Sequence, residues 1–129
     1  MIIELEQIVK LILAFILSGI VGLEREVSSK PAGLRTHTLV GLGSALLTVL
    51  SMEAFPGDPA RVAAAVIIGM GFLGAGTILK TEGRIVGLTT AAGLWITAAV
   101  GLAVGAGYYV LAIITTTLTY LSLKLDVFE

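Results

Sequence analysis

Apolar residues run through this chain in long blocks, and polar residues gather in short interruptions between them. Windows near Leu5–Leu23, Thr36–Phe55, Arg61–Leu79, Leu88–Ala106 and Tyr108–Leu123 approach the roughly 20 apolar residues that a helix needs to cross a bilayer. The pattern predicts five spans. Gly107 and its neighbours alone separate the last two windows, which allows a tight antiparallel helical hairpin or one kinked helix. Backbone groups in hydrocarbon must be satisfied within the segment, and these windows far exceed barrel strands in length. The expected class is therefore an all-α, polytopic helical bundle. The first window opens with Glu4 and Glu6 and lacks the basic leader and small-residue cleavage site of an export signal, so it is counted as a span. No linker or low-complexity tract divides the chain, and residues 1–129 read as one transmembrane domain.

Composition agrees with the bilayer as solvent. Apolar residues make up 57% of the chain and its mean hydropathy is +1.03, so folding in water would leave apolar patches that soluble monomers do not tolerate. With no cysteine there is no disulfide framework or thiolate metal site. The net charge of -1 does not indicate a partner, and no nucleic-acid partner is expected. Charge placement orients the helices. Arg25, Lys30, Arg35, Lys80, Arg84 and Lys124 fall on one side of the predicted spans, against Lys10 and Arg61 on the other. The positive-inside bias puts the N-terminus outside and the C-terminus in the cytoplasm.

The richest polar stretch is the first connection, Gly22 to Arg35. Glu24 lies at the negative end of the first helix dipole and Arg35 at the positive end of the second, so each charge opposes its own helix. A Glu24–Arg35 pair would offset both costs and clamp the hairpin; the alternative is two solvated interfacial charges. Glu24 and Glu26 point to different sides of a helix, and a solvated loop is preferred to a magnesium site there. On the other face, Asp58 and Pro59 read as N-cap and first position of the third helix, with Glu53 and Arg61 as possible members of a polar cluster. Thr36 and Thr89 are candidate caps of the second and fourth helices. His37 reads as an interfacial side chain and Trp95 as a plug within helix packing.

Gly69-Met-Gly-Phe-Leu-Gly-Ala-Gly76 contains a Gly-x-Gly-x-x-Gly word but lies in an apolar, membrane-sized segment, so it is not a phosphate loop. Helix packing explains it, together with the Gly101-x-x-x-Gly105 face; unwound backbone at Gly74 to Gly76 lining a cavity is the alternative. No predicted span carries an ionisable residue near its centre, which argues against a conventional pump or charged-substrate carrier. Thr115, Thr116, Thr117 and Thr119 most simply hydrogen-bond to their own helix or its neighbour.

Five words in order, Gly22-Leu-Glu-Arg-Glu26, Ala32-Gly-Leu-Arg-Thr36, Asp58-Pro-Ala-Arg-Val-Ala-Ala64, Gly69 to Gly76 and Gly87-Leu-Thr-Thr-Ala-Ala-Gly-Leu-Trp95, resemble the N-terminal membrane domain of the MgtC/SapB family of bacterial inner-membrane proteins. The resemblance covers about Gly19 to Gly107. It implies a five-span domain and a role associated with growth under magnesium limitation, control of membrane energetics and, in some pathogens, survival inside host cells. It marks Glu24, Arg25, Arg35, Thr36, Asp58, Arg61, Gly69, Gly71, Gly74, Gly76, Thr89, Thr90 and Trp95 as family-motif positions without assigning them chemistry. Ala65 and Ile68 depart from the residues common in relatives, and many relatives continue into a soluble C-terminal domain where this chain ends six residues past Leu123.

The expected function is that of a non-enzymatic regulator in the bacterial inner membrane, working through contacts with a second copy, as a dimer, or with another membrane protein. A small transporter or channel component for magnesium or another ion is the alternative. No catalytic constellation, cofactor fingerprint or assigned metal site is present in the sequence.

Overall fold

The computed structural model describes residues 2–125; the single-domain expectation also includes residues 1 and 126–129, which lie outside the described residues. Five helices follow one another: α1 (Ile2–Val27), α2 (Leu34–Ala54), α3 (Pro59–Ala75), α4 (Leu88–Gly105) and α5 (Tyr109–Leu123). Helices α1, α2 and α4 are long and apolar enough to cross a membrane, whereas α3 has 17 residues and α5 has 15. At about 1.5 Å per residue, α5 extends roughly 22 Å and falls short of a hydrocarbon core of about 30 Å.

The third apolar window ends sooner than its composition suggests. Beyond α3 the chain forms an antiparallel hairpin of β1 (Leu79–Thr81) and β2 (Arg84–Val86), with Leu79 opposite Val86 and Thr81 opposite Arg84. Positive φ at both Glu82 and Gly83 gives the two-residue turn whose twist matches that of the flanking strands. Gly87 then passes from β2 into α4 at φ 92°, and a Cβ there would collide with the carbonyl of Thr77. Both requirements demand glycine.

Two helix ends share one closing device. After α4, Tyr108 N–H donates to the Ala103 carbonyl at 2.8 Å and Gly107 N–H to that of Val104 at 3.0 Å, with Gly107 at φ 88°. This is a Schellman motif, and it breaks the chain into two helices; the kinked-helix alternative is excluded. Thr89 and Ala92 near the start of α4 line one cleft with Leu118 and Ser122 near the end of α5, so the pair is an antiparallel hairpin. The same motif closes α1, where Lys30 N–H donates to the Arg25 carbonyl at 3.0 Å, but its left-handed position holds Ser29 at φ 57° instead of glycine.

Packing inverts the pattern of a water-soluble bundle. On α1, Lys10, Ala14, Leu17, Ser18 and Val21 are buried at intervals of a helical turn, while Ile8, Ile12, Phe15, Ile20 and Leu23 face outward. Large side chains meet the apolar surroundings, and small or polar ones meet the neighbouring helix. The antiparallel α1–α2 seam brings Ser18 against Gly41, where an added Cβ would lie 2.5 Å from the Ser18 Cβ. Helices α2 and α4 run parallel. Gly101 lies against the Gly41 carbonyl and Ser44, and Gly105 against Ala45 and Thr48; Ser44 Oγ donates to the Ala98 carbonyl at 2.6 Å. The Gly101–Gly105 face therefore packs within one chain.

Candidate functional site

The residues expected to carry function do not converge on one site. They separate into a buried polar knot at the end of α1, an exposed pair at the start of α3, and glycines of unequal role along α3.

The knot begins with Glu24 and Arg25, both almost fully shielded although the sequence placed them in a solvated connection. Neighbours in a helix do not normally face one another, but the long arginine side chain folds back so that its Nε donates to Glu24 Oε2 at 2.6 Å. Glu24 Oε1 accepts from Ser28 Oγ at 2.9 Å and lies 3.8 Å from Lys124 Nζ, just past the end of α5. Carbonyls at the C-terminus of α1 disfavour a carboxylate, and these three partners offset that effect. Glu24 thereby ties the first helix to the last.

The expected Glu24–Arg35 clamp is not formed. Arg35 is exposed and has no ion-pair partner among the described residues. The hairpin is closed instead by Glu26, whose Oε1 accepts from the Leu34 N–H at 3.1 Å, placing negative charge at the positive end of α2. Helix α2 consequently starts at Leu34 and α4 at Leu88, so Thr36 and Thr89 are first-turn residues and not caps. Both are exposed.

His37 corrects another expectation, since it is fully buried and not interfacial. Its Nδ1 donates to the Gly33 carbonyl at 2.8 Å, and its Nε2 has no hydrogen-bond partner among the described residues. Close approach of Gly22 to the His37 Cβ, and of Gly93 to Nε2, accounts for its enclosure. Trp95 does not plug the packing; it is 44% exposed on the outer face of α4.

At the start of α3, Asp58 occupies the N-cap position and Pro59 the first turn as expected, but the Asp58 side chain makes no cap hydrogen bond. It pairs instead with Arg61 at 3.2 Å, both side chains being open to the surroundings. Glu53 does not join them, because it accepts from Gln7 of α1. Of the α3 glycines, Gly74 alone is buried, with the Ala91 carbonyl 3.2 Å from where its Cβ would stand. Gly69 and Gly71 face open space, and Gly76 only its own helix end, so packing inside this chain does not explain the whole motif.

Sequence reading missed Ser28 and Lys124 as members of the knot. Lys124 carried one usable signal, being the lone cation after the last apolar window. Another charge missed inside the bundle is Lys10, 7% exposed and 3.6 Å from Glu6, on the face opposite the knot. No three His, Cys, Asp or Glu residues are grouped to hold a metal ion among the described residues.

Five apolar helices with small-residue seams and a buried ion cluster at one end define a helical membrane protein. The sequence profile of the MgtC family matches residues 11–127, and the chain belongs to that family. It is 48% identical over 128 residues to the Escherichia coli (strain K12) protein named "Putative magnesium transporter YhiD", covering 92% of this chain and 60% of the relative. It is 50% identical over 95 residues to Protein MgtC of Brucella abortus, covering 73% of this chain and 40% of the relative. Protein SrpB of Synechococcus elongatus is 42% identical over 131 residues, covering 89% and 71% respectively. The chain thus spans less than two thirds of the length of the first two. No solved structure matches it.

Proposed function

We propose that this chain is a non-enzymatic, multi-pass regulator in the bacterial inner membrane, acting in the response to magnesium limitation through helix contacts with a second copy or another membrane protein. The observation that carries this reading is the commitment of the buried carboxylate. Glu24 is held by Arg25, Ser28 and Lys124, an arrangement suited to locking α1 to α5 and poorly suited to a cation that must bind and leave. The uncovered face of α3, where Ile68 and Phe72 are exposed one turn apart and Gly71 is open beside them, offers a surface for a neighbouring helix. The magnesium link comes from the name of the Escherichia coli relative.

That same name favours the second reading, a small magnesium transporter. Purified chain in proteoliposomes loaded with a magnesium-sensitive dye separates the two. A regulator gives no uptake above empty vesicles, while its deletion impairs growth of the source cell at low magnesium. Robust uptake by the protein alone, lost in Glu24→Gln, overturns the regulator and establishes the transporter.

A further inference from the structure

Beside the ion knot lies a pocket of about 510 Å³, walled by the α1–α2 turn, β2, the start of α4 and the end of α5. We propose that it binds a phosphate group, carried by an acidic lipid headgroup or by a soluble ion.

Three cations from different elements line it: Arg25 from α1, Lys30 from the following turn and Arg84 from β2. Lys30 and Arg84 have no ion-pair partner among the described residues, and the one hydrogen bond of Arg25 there uses Nε, leaving its two terminal nitrogens uncommitted. Among the described residues, the nearby carboxylates are placed elsewhere. Glu24 accepts from Arg25 Nε, Glu26 accepts from the Leu34 N–H, and Glu82 sits in the β-turn; none of the three lines the pocket.

The 18-residue helix α4 begins in the same wall. Its N-cap is Gly87, with no side chain to satisfy the first-turn N–H groups, and the positive end of its dipole lies at the cavity. A separate observation points to a ligand. Thr90 is 3% exposed and lines the pocket, yet its hydroxyl has no hydrogen bond among the described residues. The other buried threonines, Thr48, Thr97 and Thr116, each donate to the carbonyl four residues back. For Thr90 that residue is Val86, in β2 and outside the helix, so the usual acceptor is missing. A tetrahedral oxyanion in the cavity supplies acceptors for this hydroxyl, the helix N–H groups and the three cations together.

The full chain in nonionic detergent tests this by calorimetric titration at constant ionic strength. One arm uses inorganic phosphate; the other uses dihexanoyl phosphatidylglycerol against dihexanoyl phosphatidylcholine. Saturable binding of phosphate identifies a soluble source, and selective binding of phosphatidylglycerol a lipid source. Either affinity should fall about tenfold in Arg84→Gln, which removes an exposed charge without disturbing the core, and a few-fold in the near-isosteric Thr90→Val. Arg61→Gln, at the start of α3 and outside the pocket, should leave it unchanged. Binding of neither probe overturns the proposal. So does binding that is equal in wild type, Arg84→Gln and Thr90→Val, or that Arg61→Gln weakens as much as Arg84→Gln.

Discussion

One substitution, glycine to alanine, made at four places reads the packing of this bundle directly. At Gly101 the added Cβ would lie 2.5 Å from the Gly41 carbonyl and 2.9 Å from the Ser44 Cβ. Ordinary contact begins near 3.4 Å, so α2 and α4 must separate locally by about 0.9 Å. That movement also strains the 2.6 Å hydrogen bond from Ser44 to the Ala98 carbonyl. Overpacking of this kind costs about 1–3 kcal/mol and a weakened buried hydrogen bond about 1 more, against roughly 1 kcal/mol gained in helix propensity. Gly101→Ala should therefore destabilise by about 1–3 kcal/mol. At Gly74 the nearest atom would be 3.2 Å away, and the effects should nearly cancel. At Gly69 and Gly71 nothing lies within 4 Å, and alanine should be neutral or stabilising by up to about 1 kcal/mol. Reversible unfolding in mixed micelles, followed by helical circular dichroism, gives the four free energies. A loss at Gly69 or Gly71 equal to that at Gly101, in micelles where the chain is monomeric, refutes the reasoning.

Other consequences follow from the helix ends and the ion knot. Glu24→Gln leaves Arg25 shielded without its counter-charge and should cost about 2–4 kcal/mol; a cycle with Arg25→Gln should recover much of that loss, whereas Arg35→Gln should stay within about 0.5 kcal/mol and add independently. Ser29→Gly should stabilise by a few tenths of a kcal/mol and Gly107→Ala destabilise by about 1 kcal/mol in the same unfolding assay, because both positions are left-handed; an unchanged Gly107→Ala counts against the Schellman closure. For the orientation inferred from basic residues, cysteines at Ser28 and Glu82 should label only from the cytoplasm and one at Gly57 only from outside, the reverse pattern inverting the molecule.

What could be read in the sequence was governed by short range and by solvent. The five helices follow from apolar block length, because unsatisfied backbone in hydrocarbon leaves few other structures, and the hairpin at Gly107 follows from a residue that enters the left-handed region without cost. The Pro59 start of α3 was legible for a similarly local reason, since proline lacks the N–H that a first turn leaves unused. The β-hairpin was not, because a continuous apolar run hid the break beyond Gly76. Partner choice was decided only when the helices came together. Glu24 and Arg35 each opposed their own helix dipole, which marked both as unusual but could neither select the partner of Glu24 nor foresee that Arg35 takes none among the described residues. Adjacent Arg25 and distant Lys124 answered for Glu24, and Glu26 took the helix end assigned to Arg35. His37 and Trp95 exchanged their expected environments, because burial in a bilayer depends on which face finds a small-residue neighbour and not on hydropathy. Glycine spacing revealed faces able to pack, while the register of parallel α2 and α4 determined that Gly101 and Gly105 are used inside this chain, and the seating of α3 on α4 through Gly74 left Gly69 and Gly71 open.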